Sequence, residues 1–200
     1  YYEFLKQIDE VARSLKAIGV KHKDVVSICM PNTPEAIISF YAVNKIGAIA
    51  SMIHPLSAEE EIKRDLLSTK SKYLIMMDMF YNKIENVIWA TDVKKVIFVS
   101  AADTLGTVIS TVYNLSQLNK FKHHPKHPMF MSWRKFIKEA KRDEIVPYKR
   151  FGKDTPAVIL HSGGTTGKPK GIMLSNFNFN AECQQAGLVL PSIKPKEKIM

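Results

Sequence analysis

Cysteine is scarce in this sequence: Cys29 and Cys183 are the only two among 200 residues. A disulfide scaffold needs many more, so both thiols are expected to be free. Glycine (9) and proline (10) are too few, and apolar residues at 46% too many, for a collagen-like, low-complexity or disordered chain. Long hydrophobic runs are missing as well. No stretch approaches the roughly 18 consecutive apolar residues of a membrane span, and Tyr1 to Glu10 mixes charge with aromatics where a signal peptide carries a basic start and an apolar run. A soluble cytoplasmic protein is the default expectation. Acidic residues are the minority charge, 19 against 29 basic, which leaves +10 and a mean hydropathy of −0.11. Such a field attracts nucleic acid, anionic lipid or phosphorylated ligands. The excess is mostly lysine spread singly, and its densest cluster, Phe121 to His127, lacks the arginine stripes and interleaved aromatics of a nucleic-acid groove. Nucleic acid is therefore not an expected partner, while peripheral contact with an anionic membrane surface stays compatible with the charge.

What is present suffices for one sizeable core or a piece of a larger one. The chain opens on Tyr1 inside a helical pattern and ends at Lys196–Met200 with no stop signal, so the expectation is a piece of a longer protein. Leu5, Ile8, Val11, Ala12, Leu15 and Ile18 recur at helical spacing and Gly19 follows as a stop. Val25–Met30 reads as a strand, and Asn32-Thr33-Pro34-Glu35 opens a helix that ends at Gly47. Ala48–Ile53 reads as a strand, and Ser57 with Glu60 as a capping box for a helix through Leu67. Strand-like Tyr73–Met77 and Val96–Val99 flank a segment, Phe80–Trp89, read as helical. Thr104–Leu118 fits either a helix or a strand-containing excursion, His123–Met129 reads as loop, Ser132 caps a helix over Trp133–Lys141, and Ala157–Leu160 is a compact strand. Strands alternating with helices predict βαβ units: an α/β protein with largely parallel sheets flanked by helices.

One segment carries chemistry: His161-Ser162-Gly163-Gly164-Thr165-Thr166-Gly167-Lys168-Pro169-Lys170-Gly171. Glycines let backbone N–H groups turn inward, hydroxyls add donors and ammonium groups neutralise charge, which is what a polyphosphate requires. The alternative is a flexible turn between strands. A Walker A loop is excluded, because Gly163 lies one residue too close to Gly167 and Pro169 stands where a Ser or Thr would hold magnesium. A dinucleotide fingerprint is excluded by spacing and because Gly171–Ser175 reads as a strand, not a helix start.

Ser162–Gly171 between two strands, followed by Leu174-Ser175-Asn176 and a helix, resembles the signature loop of the adenylate-forming (AMP-binding) superfamily of acyl-CoA synthetases, luciferases and peptide-synthetase adenylation domains. Gly163-Gly164 is most similar to the acyl-CoA synthetase (carboxylate–CoA ligase) version. Looser matches run through Tyr2–Leu5, Met30–Glu35, Lys45–Ala50 and His54-Pro55-Leu56. The resemblance implies that residues 1–200 are the incomplete N-terminal part of an AMP-binding domain, with the phosphate loop at 162–171. It implies ATP, magnesium and coenzyme A, and a carboxylic acid, a fatty acid first, joined to AMP and passed to the CoA thiol. Loading of a carrier protein, or a non-catalytic basic binding module, are the alternatives. By the same resemblance Thr165 and Thr166 supply hydroxyl and amide donors, Gly163, Gly164 and Gly167 backbone access, and Lys170 positive charge. Ser162, Lys168, Pro169 and Gly171 complete the nucleotide-binding segment, Lys168 at a position that the family leaves variable. Leu160-His161 and His54 depart from the family's usual residues. No catalytic or metal-ligating residue is assigned. The family's acidic magnesium partner, ribose aspartate and adenine loop come later in the chain than Met200, so the fragment alone is expected to be inactive.

Other candidates have plainer readings. His123, His124 and His127 read as a solvated loop rather than metal ligands, and His161 as a packed or hydrogen-bonded histidine before a phosphate neighbour. Glu59-Glu60-Glu61 suits a helix N-terminus. Met76, Met77 and Met79 read mostly as core, while Phe177 and Phe179 are the better candidates to line an acyl site.

Overall fold

The computed structural model describes residues 1–100, 103, 126–140, 146, 152–162 and 170–189. Helix α1 (Tyr2–Ala17) buries Ile8, Val11, Ala12 and Leu15, the stripe that its spacing predicts. Gly19 takes φ +97°, and the Val20 N–H reaches back to the Leu15 carbonyl at 3.0 Å. Gly47 repeats this stop after α2 (Pro34–Lys45) with φ +74°, the Ala48 N–H donating to the Val43 carbonyl at 3.1 Å. Thr33 caps α2, its Oγ1 accepting from the Ala36 N–H at 3.3 Å.

Among the described residues seven strands form one sheet: β1 (Val25–Cys29), β2 (Ile49–Met52), β3 (Tyr73–Met77), β4 (Lys95–Val99), β5 (Phe130–Ser132), β6 (Pro156–Ser162) and β7 (Lys170–Ser175). Their order is β5-β4-β3-β1-β2-β6-β7, parallel except for the antiparallel β6–β7 pair. One face packs Val26, Ile28, Ala50, Ile75 and Val158 against α1, α2 and α4 (Trp133–Lys138). The other packs Cys29, Ile53, Leu74 and Met76 against Ile62 and Leu66 of α3 (Glu59–Ser68). The chain is thus α/β, a mostly parallel sheet flanked by helices. Helix α5 (Asn176–Val189) comes after β7.

Three local expectations are corrected. Phe80–Trp89 is not an α-helix but lies across two 3₁₀ turns, Asp78–Lys83 and Ile88–Ala90. The Ile84 N–H donates to the Tyr81 carbonyl at 2.9 Å and the Val87 N–H to the Ile84 carbonyl at 3.0 Å, three-residue closures that accompany the burial of Tyr81, Ile84 and Val87. The N-cap of α3 is Ala58 rather than Ser57, and Glu61 rather than Glu60 reaches back, its Oε2 accepting from the Ala58 N–H at 3.3 Å. The third is the helix capped by Ser132, which ends at Lys138 rather than Lys141; the three-residue strand β5 ahead of it is too short to announce itself by alternation. Thr104–Leu118 and His123–Pro125 lie outside the described residues.

Candidate active site

Strand β6 extends past Leu160 to Ser162, and β7 returns antiparallel with Ser162 opposite Lys170 and His161 opposite Gly171. The first and last polar residues of the glycine-rich segment therefore face each other across the mouth of a hairpin. As expected, the segment joins two strands. Gly163–Pro169 lie outside the described residues. Lys170 is exposed on the outermost strand. At Gly171 a Cβ would stand 3.1 Å from Ile159 Cγ2, so glycine there has a packing reason on the β6–β7 ladder itself. A reciprocal cap sets the start of α5: the Ser175 N–H donates to Asn178 Oδ1 at 2.8 Å, and the Asn178 N–H donates to Ser175 Oγ at 3.4 Å.

Strands β1, β2 and β6 all end at one edge of the sheet, and a cleft of about 700 Å³ lies there. Pro31 and Asn32 beyond β1, His54 and Leu56 beyond β2, Asp65 of α3 and His161 of β6 line it. The chain leaves β1 toward α2 on one face and leaves β2 toward α3 on the other. A crevice opens at such a divergence, the position at which open α/β sheets bind ligands. The glycine-rich segment begins at Ser162, one residue beyond His161 of the cleft wall. Phe177 and Phe179, proposed from sequence as acyl-site residues, do not line this cleft. Phe179 packs its ring edge-on to Phe40 of α2, centroids 5.9 Å apart.

His161 is the hydrogen-bonded histidine that the sequence favours, but its partners were not foreseen. Nε2 lies 3.0 Å from Ser51 Oγ of β2, and Nδ1 lies 3.3 Å from Asp65 Oδ1 of α3. The His161 and Asp65 side chains are only 11% and 10% exposed. Burial pushes the Asp65 carboxyl above the usual carboxylate range, against the opposing pull of His161 and Arg64, while Glu61 adds to the rise. Burial likewise drives the Cys29 thiol up to about 12, with the Asp65 charge adding to it. The available signal was Asp65 itself, a carboxylate set in the buried stripe of Ile62 and Leu66 on α3. Met76 and Met77 are core, although Met79 is exposed, and Glu61 serves the helix start. His127 accepts from the Met129 N–H through Nδ1 and meets the Trp89 ring edge-on.

The described residues form an α/β architecture, a mostly parallel sheet whose β6–β7 pair carries Ser162 and Lys170, the two ends of the glycine-, threonine- and lysine-rich stretch. Residues 1–199 match the AMP-binding enzyme family, and the chain belongs to it. It is 26% identical over 202 aligned positions to a long-chain-fatty-acid–CoA ligase of Bacillus subtilis, covering 100% of this chain and 36% of that protein. In fold it is similar to a long-chain-fatty-acid–CoA ligase of Archaeoglobus fulgidus, with a TM-score of 0.69 at 22% identity over 93% of this chain and 32% of that one. It is similar also to the anthranilate–CoA ligase AuaEII solved with anthranoyl-AMP, with a TM-score of 0.71 at 20% identity over 91% of this chain and 30% of that one. The chain spans about a third of the length of the curated relatives that it matches.

Proposed function

We propose that the protein carrying this chain is an AMP-forming carboxylate–CoA ligase. A carboxylate oxygen attacks the α-phosphorus of ATP, pyrophosphate leaves, and the acyl-adenylate then passes its acyl group to the thiol of coenzyme A with release of AMP. The observation that supports this reading is the Ser162–Gly171 sequence, whose first residue ends β6 one position beyond His161 of the cleft and whose last two, Lys170 and Gly171, stand opposite Ser162 and His161 on β7. Charge builds on the departing pyrophosphate, so donors and a cation prepared around the β- and γ-phosphates stabilise the transition state more than the ground state. In this reading Thr165 and Thr166 are hydroxyl and amide donors, Gly163, Gly164 and Gly167 admit the phosphates close to the backbone, and Lys170 supplies charge. Ser162, Lys168, Pro169 and Gly171 complete the segment. Magnesium would accompany the ATP phosphates. Among the described residues no group of three or more His, Cys, Asp and Glu gathers to hold a metal, and none is assigned to it.

A fatty acid is the substrate class we favour, because Met30, Met52, Ile53, Leu56, Phe80 and Leu160 give the cleft an apolar lining. Two free thiols suit a cytoplasmic setting. Among the described residues no helix is long and apolar enough to cross a membrane. This chain lacks the length of the relatives, and we expect no adenylation from it alone.

The test is carboxylate-dependent exchange of labelled pyrophosphate into ATP by the full-length protein, with short, medium, long and aromatic acids offered. Exchange is expected with long-chain acids, falling about 100-fold or more in Thr166→Ala and Lys170→Ala. Unchanged exchange in both variants with the fold intact would reduce the segment to a structural turn.

A further inference from the structure

Ser51, His161 and Asp65 have the connectivity of a hydrolase triad: Ser Oγ to His Nε2 at 3.0 Å, then His Nδ1 to Asp Oδ1 at 3.3 Å. Ser51 is 0% exposed on a central strand, so no substrate carbonyl can reach its Oγ, and a nucleophilic role is closed. What the three residues share is position. They come from β2, β6 and α3, and His161 immediately precedes Ser162, opposite Gly171. With the proton on Nδ1, that N–H donates to Asp65 and Ser51 donates to Nε2. When the ring is charged, both nitrogens donate. In either state the ring ties the end of β6 to a neighbouring strand and to a helix on the same face of the sheet. Gly171, its partner on β7, sets no side chain against the ring.

We propose that His161 is a positioning residue, clamped between Ser51 and Asp65 so that Ser162 and Lys170 at the mouth of the hairpin are held in register for the phosphates. The energetics of Asp65 support this. Its carboxyl is pushed up chiefly by burial, so the charge there opposes stability, and a carboxylate retained at such a cost is better explained by what it holds in place. The groups in contact with the ring are Asp65 from α3 and Ser51 from β2; Arg64 and Glu61 of α3 act on Asp65, as Asp65 does on Cys29 of β1, and His54 lines the same cleft.

This inference rests on the function proposed above for its kinetic arm only. In the full-length protein, His161→Ala and Asp65→Ala are each expected to raise KM for ATP about tenfold with kcat changed less, and the double variant to be no worse than either single one. His161→Gln, which keeps a hydrogen-bonding group near the same place, is expected to return KM to within about threefold of the parent. Asp65→Asn is expected to unfold at the same temperature or higher, which a purely structural carboxylate would not allow. Hydrogen–deuterium exchange without ATP supplies the independent arm: the β6–β7 ladder should exchange faster in His161→Ala and Asp65→Ala while β1–β3 stays as protected as before. If the parent exchanges no pyrophosphate with any acid, the proposed function fails and the hydrogen-exchange arm alone decides this inference. Unchanged ladder protection in both alanine variants, or additive losses of stability with KM for ATP unmoved, would overturn it.

Discussion

Gly171 stands too close to Ile159 to carry a side chain freely. A Cβ added there would lie 3.1 Å from Ile159 Cγ2, inside the 3.5–4.0 Å of an ordinary carbon contact. Ile159 is buried and β-branched, so it cannot swing aside without leaving its favoured rotamer. Gly171→Ala restricts the unfolded chain, which favours folding by about 0.4–1 kcal/mol, against a crowding cost at the low end of overpacking. The two nearly cancel, and Ala is expected to fall within about 1 kcal/mol of the parent. Valine adds two methyls to the same gap and is expected to cost about 1–3 kcal/mol. At about 2–4 °C per kcal/mol for a domain of this size, Gly171→Val should melt about 2–12 °C lower. Thermal and denaturant unfolding of Gly171→Val, Ile159→Ala and the double variant form a cycle in which removing Cγ2 should relieve the crowding by more than about 1 kcal/mol. Strict additivity would refute the packing argument and leave the glycine to be explained by the ligand alone.

The same geometry predicts three further outcomes. Alkylation at neutral pH, mapped by peptide mass spectrometry, should label Cys183 and spare Cys29, because raising the thiol from an ordinary 9.0 to about 12 cuts its thiolate fraction about a thousandfold before burial is considered. Burial alone would push the Asp24 carboxyl up, but hydrogen bonds from Lys72 Nζ at 2.7 Å and the Lys21 N–H at 2.9 Å, with both ammonium charges, hold it below its ordinary value. Its contribution is therefore full at neutral pH and lost as the pH falls through the folded value, so Asp24→Asn should be destabilised near neutrality and converge on the parent below about pH 4. Thr33→Ala removes the cap on the Ala36 N–H and should cost about 1 kcal/mol in denaturant unfolding, with Thr33→Ser recovering most of it.

The mostly parallel α/β class could be read from the alternation of strands and helices, and the rest of what was legible was local. Gly19 and Gly47 mark helix ends because only a residue free to adopt positive φ closes those turns, and Thr33-Pro34 announces α2 through a side-chain acceptor and a preset φ. The glycine-rich segment stood out as a candidate because its residues are contiguous. The 3₁₀ spacing of Tyr81, Ile84 and Val87 was present in the sequence but differs from a helical stripe by less than one residue per turn. Strand order was not legible, since nothing in β2 names β6 as its neighbour. Nor was the clamp on His161, whose partners at Ser51 and Asp65 lie about a hundred residues upstream and meet it only through that strand order.

The pairing of β2 with β6, Ala50 opposite Val158, also governs how the site comes into being. Strands β1 to β4 find their neighbours within short separations, whereas the Ser51–His161 contact closes a separation of 110 residues. Long closures carry the largest entropic cost before any contact repays them. The sheet can therefore zip from its first strands outward while the edge that presents the glycine-rich segment docks last, and on a ribosome it docks only after that whole intervening stretch has emerged. The outer edge of β2 is thus the strand edge that waits longest for its neighbour, and the candidate site is complete only when that wait ends.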